Sequence, residues 1–490
     1  MRTDVYRVKK TLFLNPPSFD GFDGGAGARY PARREVTSYW YPTWLAQPAA
    51  VVPGSKLLDA PPHNITLQDT IRIASEYELV IMPASAPSLR SDVKCVEAIK
   101  ALNPGVQIGF VGPHVTVLPE GALLQSPEID FVCRNEFDFT CLDLAQGKAY
   151  DQIKGLSYRA NDGSIRHTPD RELLRDLDVL PSVLPVYRRE LDIEKYFVGY
   201  LLHPYISFYT GRGCKARCTF CLWPQTIGGN SYRTKSPEVV IREIEEGNDL
   251  FPQASEWFID DDTFTQDRAR AIAIGRGFKR LNLTWSCNAR INIDYDTLKQ
   301  LKANGLRLLV VGFESGNQEI LNRIRKGTTL EMAREFMKNC RRLGIKVHGT
   351  FILGLPIENK QTIENTIRFA QELDPYTIQV SIAAPFAGTE LYRQAIQHGW
   401  LANGDFCNDN GIQTAALRYP DLGFDEVEEA VARMYRRFYF RMKPLFRMFY
   451  EMATDRRVLI RRLREGKEFL QYLKVRKESG CDQSTPHHRP

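Results

Sequence analysis

The sequence predicts an α/β protein with two parallel-sheet units and a helical C-terminal extension. Short apolar runs of strand length alternate with helix-like segments over residues 10–155 and again over residues 201–400, whereas the pattern after residue 401 is mainly helical. Alternating strands and helices favour parallel sheets covered by helices. The 490 residues are enough for several domains of ordinary size.

The first unit, residues 10–155, is predicted to be a Rossmann-like, flavodoxin-like domain. Its predicted strands cover residues 11–14, 56–58, 79–82, 106–111 and 129–133. Each strand ends near Pro, Gly, Asn or Ser residues, and loops at the carboxyl ends of such strands are where an open α/β sheet binds its ligand.

The second unit, residues 201–400, is predicted to be a partial (β/α)6 TIM barrel. Its six predicted strands cover residues 205–209, 256–259, 283–287, 308–313, 347–353 and 377–382. Six units are too few for a complete eight-stranded barrel. We expect residues 156–200 to form a linker with a small hairpin and residues 479–490 to be a disordered tail. Residues 401–478 are predicted to be a helical, basic C-terminal region, wholly helical from Phe424 to about Lys477.

Composition excludes two classes of protein. No run approaches the 18 consecutive apolar residues of a membrane span, and the amino terminus lacks the apolar core of a signal peptide, so we expect a cytoplasmic protein. Ten cysteines in 490 residues are too few for a disulfide-stabilised secreted scaffold.

The net charge of +6 is unevenly distributed. Residues 433–467 hold twelve Lys or Arg and three Asp or Glu, a local charge of +9 that leaves −3 for the rest of the chain. The favoured interpretation is a helical cap on the barrel with its arginines in solvent. The alternative is peripheral contact with an anionic membrane on its inner face. Nucleic acid is not expected as a partner.

Three of the cysteines, Cys214, Cys218 and Cys221, lie within eight residues after the first predicted barrel strand. Thiolates at this density suit zinc or an iron-sulfur cluster. Structural zinc requires four ligands, so a zinc site would need Cys287 or His203 as well. On a four-iron cluster, three thiolates leave one iron open to a substrate or cofactor.

The segment from Gly213 to Cys221, GCKARCTFC, resembles the signature loop of the radical S-adenosylmethionine (SAM) superfamily. The resemblance implies that the three cysteines hold a [4Fe-4S] cluster whose open iron binds SAM. It further implies reductive cleavage of SAM to a 5′-deoxyadenosyl radical, with electrons from a donor of the flavodoxin or ferredoxin type.

Later strand ends extend the resemblance, in the order of the barrel strands. They imply the following SAM-binding residues: Asp261, Arg290, Glu314, Ser315, Gly349, Gly354 and Pro385. The residue that quenches the product radical is not identified. Cys287 and Tyr209 are weak candidates for a catalytic radical relay, and buried structural roles are favoured for both.

The first unit resembles the cobalamin-binding domain of the B12-dependent branch of the superfamily. The implied cobalamin-binding residues are Asp59, Ser85, Ser88, Gly112, His114 and Thr116. The Asp-x-His-x-x-Gly motif of many B12 proteins is absent. Cobalamin therefore binds without that histidine, or the domain holds none.

Residues 15–19, 24–27, 29–35 and 39–45 resemble those of the hopanoid biosynthesis associated radical SAM proteins of the HpnJ type. This resemblance implies a bacteriohopanepolyol-type lipid substrate and formation of its cyclitol ether head group by radical contraction of a sugar ring, a rearrangement. Cobalamin-dependent methylation of a carbon is the alternative enzymatic activity. A non-catalytic iron-sulfur or zinc scaffold protein is the alternative from another class.

Overall fold

The computed structural model describes residues 7–17, 35–402, 407, 413–454 and 456–482. The strands are β1 (Thr11–Asn15), β2 (Lys56–Asp59), β3 (Leu79–Pro83), β4 (Gln107–Val111), β5 (Phe131–Cys133), β6 (Leu156–Arg159), β7 (Ile165–His167), β8 (Tyr205–Phe208), β9 (Gly211–Arg212), β10 (Arg233–Thr234), β11 (Glu256–Ile259), β12 (Trp285–Ala289), β13 (Leu306–Glu314), β14 (Lys346–Leu353) and β15 (Thr377–Ile382). The α-helices are α1 (Thr43–Val51), α2 (Leu67–Ala74), α3 (Leu89–Leu102), α4 (Pro113–Val117), α5 (Pro119–Leu123), α6 (Asp138–Ala145), α7 (Leu184–Glu190), α8 (Leu222–Thr226), α9 (Pro237–Leu250), α10 (Arg268–Arg280), α11 (Tyr295–Ala303), α12 (Gln318–Arg323), α13 (Leu330–Leu343), α14 (Lys360–Leu373), α15 (Glu390–Gln397), α16 (Phe424–Tyr439), α17 (Met442–Thr454) and α18 (Arg456–Asp482).

The first sheet has the strand order β2-β1-β3-β4-β5-β6-β7. Strands β1 to β5 pair in parallel, which confirms the predicted Rossmann-like domain. The β6–β7 hairpin continues the sheet in the antiparallel direction. The prediction that this hairpin belongs to a linker was therefore wrong. Arg134 holds it in place, because its guanidinium donates to the backbone oxygens of Leu156 and Thr168.

The second sheet has the order β15-β14-β13-β12-β11-β8, and its six strands are all parallel. This curled half-barrel confirms the predicted partial TIM barrel. Large buried side chains such as Trp257 on β11 and Trp285 on β12 fill the space between the sheet and its helices. The core is continuous with that of the first sheet, because Phe13 and Phe131 belong to the same cluster of buried residues.

The half-barrel leaves β15 as an open edge, and α16 covers it. Alternate backbone amides of β15 donate to side chains rather than to another strand; the pairs are Ile378 with Tyr439, Val380 with Tyr435, and Ile382 with Gln413. Unpaired strand edges promote aggregation. These three side chains provide acceptors for the β15 amides that would pair with another strand in a closed barrel.

The C-terminal helices begin at the residue that the sequence pattern predicts. The described residues between 401 and 423 form isolated bridges and loops, and helix starts only at Phe424. Helix α18 continues to Asp482, so the tail predicted to start at residue 479 begins within a helix. Residues 483–490, like the glycine-rich segment 18–34, lie outside the described residues. None of the helices in the described ranges is both long and apolar enough to cross a membrane.

Candidate functional site

The three-cysteine loop begins directly after β9 with a residue that has to be glycine. Gly213 has φ of +84°, and a Cβ atom there would lie 2.3 Å from the backbone oxygen of Ser231. Only glycine tolerates both conditions. Next in sequence, Cys214 and Cys218 are each 7% exposed, and Cys221 is half-buried. The cysteines are therefore largely shielded from water.

Gln225 of α8 fixes the course of this loop. Its Nε2 donates to the backbone oxygens of Cys218 at 3.2 Å and of Cys221 at 2.8 Å. The amide of Thr219 also donates to the backbone oxygen of Ile324, beyond β13. The loop is thus held from two sides, so its cysteines need little rearrangement to bind a ligand.

The surroundings of the sulfur atoms suit thiolates. The Ala216 amide donates to Cys214 Sγ at 3.4 Å, and Thr263 Oγ1 lies 3.9 Å from the same sulfur. The guanidinium of Arg290 lies 3.9 Å from Cys218 Sγ. Burial raises the pKa of the Cys214 thiol, so ligation by a metal is the natural way to obtain its thiolate.

The three cysteines of the loop do not converge as ligands of one metal ion. Within the described ranges, no group of three or more His, Cys, Asp or Glu side chains is placed to hold one metal ion. In a [4Fe-4S] cluster each thiolate binds its own iron, so the sulfur atoms need not meet at one point. Neither residue considered as a further zinc ligand is supported. Cys287 is fully buried inside β12, and His203, before β8, contacts Glu194.

A cavity of about 200 Å³ lies inside the half-barrel, beside this loop. Phe220, the residue before Cys221, forms part of its wall. The polar residues of the wall come from five neighbouring strands or their carboxyl ends; they are Asp260, Asn288, Glu314, Thr350, Gln379 and Ser381. The cavity therefore combines hydrogen-bonding groups with contact to one residue of the cysteine loop.

Two adjacent aspartates after β11 have different environments. Asp260 lines the cavity and accepts a hydrogen bond from Asn288. Asp261, predicted to bind SAM, is fully buried and does not line the cavity. Its carboxylate accepts hydrogen bonds from the amides of Thr210 and Gly211 and from the hydroxyl of Tyr232. Asp261 therefore anchors the chain before the cysteine loop, and its neighbour Asp260 is the aspartate that lines the cavity.

Glu314, predicted to bind SAM, lies at the end of β13. It lines the cavity and has a backbone φ of +63°. The register of β13 with β14 shifts between Gly312 and Glu314. Lys326 Nζ donates to Glu314 Oε1 at 2.7 Å. Arg290 donates to the backbone oxygen of the same lysine, so both cations lie near Cys218.

Four other predicted SAM-binding residues do not line this cavity. Ser315 is fully buried against Thr366, and Gly349 packs where a Cβ atom would contact the Phe313 ring at 3.1 Å. The amide of Gly354 donates to Glu358. Pro385 is not part of the wall, although the residues on both sides of it are.

Sequence reasoning missed several of the wall residues. Gln379 and Ser381 are two positions apart on β15, and Thr350 lies next to the predicted Gly349 on β14. Alternate residues of a strand point to the same face. Polar residues at every second position in an otherwise apolar strand were the signal that could have identified Gln379 and Ser381.

The two candidate radical relays lie apart from the cavity wall. Trp44 Nε1 donates to the phenol oxygen of Tyr209 at 3.0 Å, and Cys287 is fully buried within β12. Burial raises the pKa of the Cys287 thiol strongly, which keeps it protonated. Both environments agree with the structural roles that the sequence favoured.

The loops after β3 and β4 lie side by side at the carboxyl edge of the first sheet. Ser85 and Ser88 share a hydrogen bond of 2.8 Å, and Ser88 donates to Asp92. Gly112 has φ of +123°, and a Cβ atom there would lie 2.9 Å from the backbone oxygen of Ala84. The glycine allows the two loops to approach, which leaves small residues at this edge.

The remaining predicted cobalamin residues are divided between this edge and the interior. Burial lowers the pKa of His114, so its imidazole is neutral at pH 7. Thr116 accepts a hydrogen bond from the Asn135 amide. Asp59 is buried and accepts a hydrogen bond from Tyr196, so it joins β2 to the segment before the barrel.

The two sheets are joined next to the cysteine loop. Trp44 of α1 stacks on Trp223 of α8 with ring centroids 4.6 Å apart. Arg212, two residues before Cys214, makes a bidentate ion pair with Asp138 of α6. A Cβ atom on Gly388 would lie 2.7 Å from the side chain of Val117, at the end of α4. The carboxyl edge of the first sheet therefore faces the mouth of the half-barrel.

Residues 208–370 match the sequence model of the Radical SAM superfamily. An uncharacterised methyltransferase of Pyrococcus horikoshii is 29% identical over 457 residues, covering 91% of this chain and 95% of its own. The cytidylyl-2-hydroxyethylphosphonate methyltransferase of Streptomyces wedmorensis is 27% identical over 390 residues, 71% of this chain and 70% of its own. The hopanoid C-3 methylase of Methylococcus capsulatus is 26% identical over 303 residues, 58% of this chain and 54% of its own.

Two solved structures share the fold. The cobalamin-dependent SAM radical enzyme OxsB matches with a TM-score of 0.67 and 15% identity, covering 97% of this chain and 72% of that one. The radical SAM methyltransferase TsrM of Kitasatospora setae matches with a TM-score of 0.63 and 16% identity, covering 89% of this chain and 84% of that one. These likenesses extend over both sheets.

Proposed function

Because residues 208–370 match the Radical SAM superfamily, we propose that this protein is a cobalamin-dependent radical SAM methyltransferase that acts on a carbon atom. The observation that carries the proposal is the position of the cysteine loop, between the half-barrel cavity and the carboxyl edge of the first sheet. A relative that matches nearly the whole chain is named a methyltransferase. The predicted methylation alternative is therefore better supported than the predicted rearrangement.

The cofactors of the radical SAM domain are a [4Fe-4S] cluster and SAM, which together supply a 5′-deoxyadenosyl radical, while cobalamin supplies methyl transfer. Cys214, Cys218 and Cys221 would bind three irons of the cluster. Fixation by Gln225 and the hydrogen-bond donors around the sulfurs support this role. Arg290, close to Cys218, would offset the negative charge of the thiolates.

Polar residues of the cavity would bind and orient SAM. Asp260 and Glu314 are carboxylates at neighbouring strand ends, and they suit the ammonium and sulfonium charges of SAM. Phe220 and Phe386 provide apolar walls of the same cavity. Exclusion of water by such walls prevents side reactions of a radical.

The carboxyl edge of the first sheet would hold cobalamin. Gly112, Ser85 and Ser88 keep this edge free of bulky side chains, which suits the approach of a flat corrin. The buried Nε1 of Trp223, where the two sheets meet, has no hydrogen-bond partner within the described ranges. A bound group at this contact would provide its acceptor.

Anaerobic reconstitution with iron and sulfide tests the proposal. We expect wild-type protein to bind a [4Fe-4S] cluster and cobalamin and, with dithionite added as the electron donor, to release 5′-deoxyadenosine from SAM. Cys218→Ala should lose the cluster and this activity, whereas Cys340→Ala, which changes a buried cysteine of α13, should keep both. With substrate, each methylated product should consume two SAM molecules, giving one S-adenosylhomocysteine and one 5′-deoxyadenosine. Purified protein that holds zinc and no iron would refute the proposal.

The predicted contraction of a sugar ring on a bacteriohopanepolyol gains no support from the comparisons. The hopanoid relative is named a C-3 methylase, and it matches 58% of this chain. The ring contraction stays a prediction, as does the flavodoxin or ferredoxin donor. A comparison of hopanoids with and without this protein tests the contraction, because accumulation of an uncontracted glycosyl precursor would support it and an unchanged profile would reject it.

A further inference from the structure

A second cavity, of about 270 Å³, lies between the β14–β15 edge of the half-barrel and helices α16–α18. Its wall is mainly apolar and includes Val198, Ile378, Leu445, Met448 and Phe469. The charged residues that α18 contributes, Arg462 and Glu465, pair with each other at 2.7 Å. A wall of this composition favours an apolar occupant.

The second cavity is adjacent to the half-barrel cavity. Trp40, Tyr200 and Gln379 line both of them. Within the described part of the chain, only these shared side chains therefore separate a molecule in the second cavity from the cavity beside the cysteine loop. One substrate could occupy both, with its apolar part in the second cavity and its reacting carbon in the first.

A glycine in the middle of α18 keeps the second cavity open. Gly466 lines the cavity, and a Cβ atom on it would meet nothing within 4 Å. Glycine inside a helix is destabilising relative to alanine. Packing against neighbouring atoms does not require a glycine at position 466. A larger side chain at this position would fill part of the cavity, so the glycine leaves that space free.

The second cavity opens at an exposed apolar surface. Phe440 and Leu470 line the cavity and are 58% and 59% exposed. Exposed apolar residues continue around them on α17 and α18; they are Met442, Phe446, Phe449, Tyr450, Ile460 and Leu463. We call these eight residues the apolar face. Exposed apolar surface of this extent marks a site of contact with a membrane or another protein.

Positive charges at the apolar face favour a membrane. Lys443, Arg464, Lys467 and Lys474 are exposed on the same two helices. Two of them have acidic neighbours, because Lys443 contacts Asp374 at 2.8 Å and Arg464 lies 3.8 Å from Glu468, but both side chains remain more than half exposed. Lysines and arginines beside exposed aromatic residues suit the anionic head groups of a bilayer.

We propose that the substrate is a membrane lipid, whose apolar part enters the second cavity from the apolar face while its reacting carbon lies in the half-barrel cavity. The claim of a reacting carbon rests on the proposed function. Binding of the apolar part and docking on the membrane do not depend on the proposed function. The two experiments below therefore measure binding alone, not cleavage of SAM.

Binding of cis-parinaric acid, a fluorescent fatty acid, tests the second cavity. We expect the wild-type protein to bind it, Gly466→Ala to retain binding, and Gly466→Phe to weaken it at least tenfold. Gln471→Phe, at an exposed position of α18, is the matched control and should bind like the wild type. Circular dichroism and unfolding curves check that each variant is folded. Absence of binding to the wild type, or equal binding to Gly466→Phe, would overturn the proposal.

Sedimentation with lipid vesicles tests the apolar face. The vesicles contain phosphatidylcholine and about one quarter phosphatidylglycerol, an anionic lipid. The wild type should sediment with them, and less so at high salt. Replacing both Phe446 and Phe449 by Asp should reduce vesicle binding at least tenfold. Circular dichroism and unfolding curves check that this variant is folded. Wild-type protein that stays in the supernatant, or a variant that sediments equally, would overturn the proposal. Protein without a cluster would refute the proposed function and leave both binding results standing.

Discussion

The phenol oxygen of Tyr435 accepts a hydrogen bond from the backbone amide of Val380 at 2.9 Å, so a helix side chain takes the place of a neighbouring strand. Tyr435→Phe leaves this buried amide without a partner. The cost of such a group is about 1–3 kcal/mol. We expect urea denaturation to show this loss in the free energy of unfolding. Tyr450→Phe, at a position that is 66% exposed, is the control and should change it little. Equal stability of Tyr435→Phe and wild type would contradict the bond's importance.

The ion pair between Arg212 and Asp138 should hold the two sheets together next to the cysteine loop. Both side chains are 6% exposed, and two hydrogen bonds join them. Removing one partner leaves a buried charge, which costs roughly 3–5 kcal/mol. Arg212→Met should therefore lower the transition temperature in differential scanning calorimetry. The double variant with Asp138→Leu should recover part of the loss, and strictly additive losses would argue against the pair.

Asp260 and Asp261 should respond differently to the same substitution. Asp261→Asn replaces a buried carboxylate that accepts several hydrogen bonds, and we expect a loss of about 2–4 kcal/mol in unfolding free energy. Asp260→Asn changes a residue of the cavity wall and should weaken SAM binding with little effect on stability. Isothermal titration with SAM and denaturation curves separate the two effects. The reverse pattern would show that Asp261 is the SAM-binding residue.

Gln225→Ala should impair the cysteine loop without unfolding the protein. The amide of Gln225 donates to backbone oxygens within the loop, and its oxygen accepts from the amide of Glu390. Loss of these bonds frees the loop, so we expect less iron per protein and faster loss of the cluster in air. Gln225→Glu keeps the acceptor and removes the donor, so it should resemble the alanine variant. Iron content equal to that of wild type would mean that the cysteine loop keeps its conformation without the hydrogen bonds of Gln225.

Glu358 should make the protein less stable as the pH rises. Burial raises the pKa of its carboxyl group from 4.5 to about 8, so the folded protein keeps a proton that the unfolded chain releases above pH 4.5. Between these two values the unfolding free energy falls with pH, by up to about 1.4 kcal/mol per pH unit for one group.

Glu358→Gln keeps an acceptor for the amides of Gly354 and Leu355 and removes the titration. Denaturation curves from pH 5 to 8 should therefore show a smaller pH slope for Glu358→Gln than for the wild type. Asp92, whose pKa burial also raises to about 8, contributes a slope of the same sign in both proteins and does not affect the difference. Equal slopes would mean that Glu358 is ionised in the folded protein.

The sequence by itself determined the two parallel sheets, the partial barrel and the three-cysteine loop. These features depend on the local alternation of apolar runs with helices and on the spacing of Cys214, Cys218 and Cys221, which chain order records directly. The same locality places Glu314 at the end of a strongly apolar strand, which is the only part of its assignment that the sequence determines.

Tertiary structure alone decided which strand-end residues line the cavity. A shift of one residue along a strand moves a side chain to the other face of the sheet, so Asp260 reaches the cavity and Asp261 does not. It also decided that the hairpin at residues 156–167 extends the first sheet, and that Gly466 faces an open cavity. Each of these depends on contacts between residues far apart in the chain, and local sequence patterns carry no information about which distant surfaces meet.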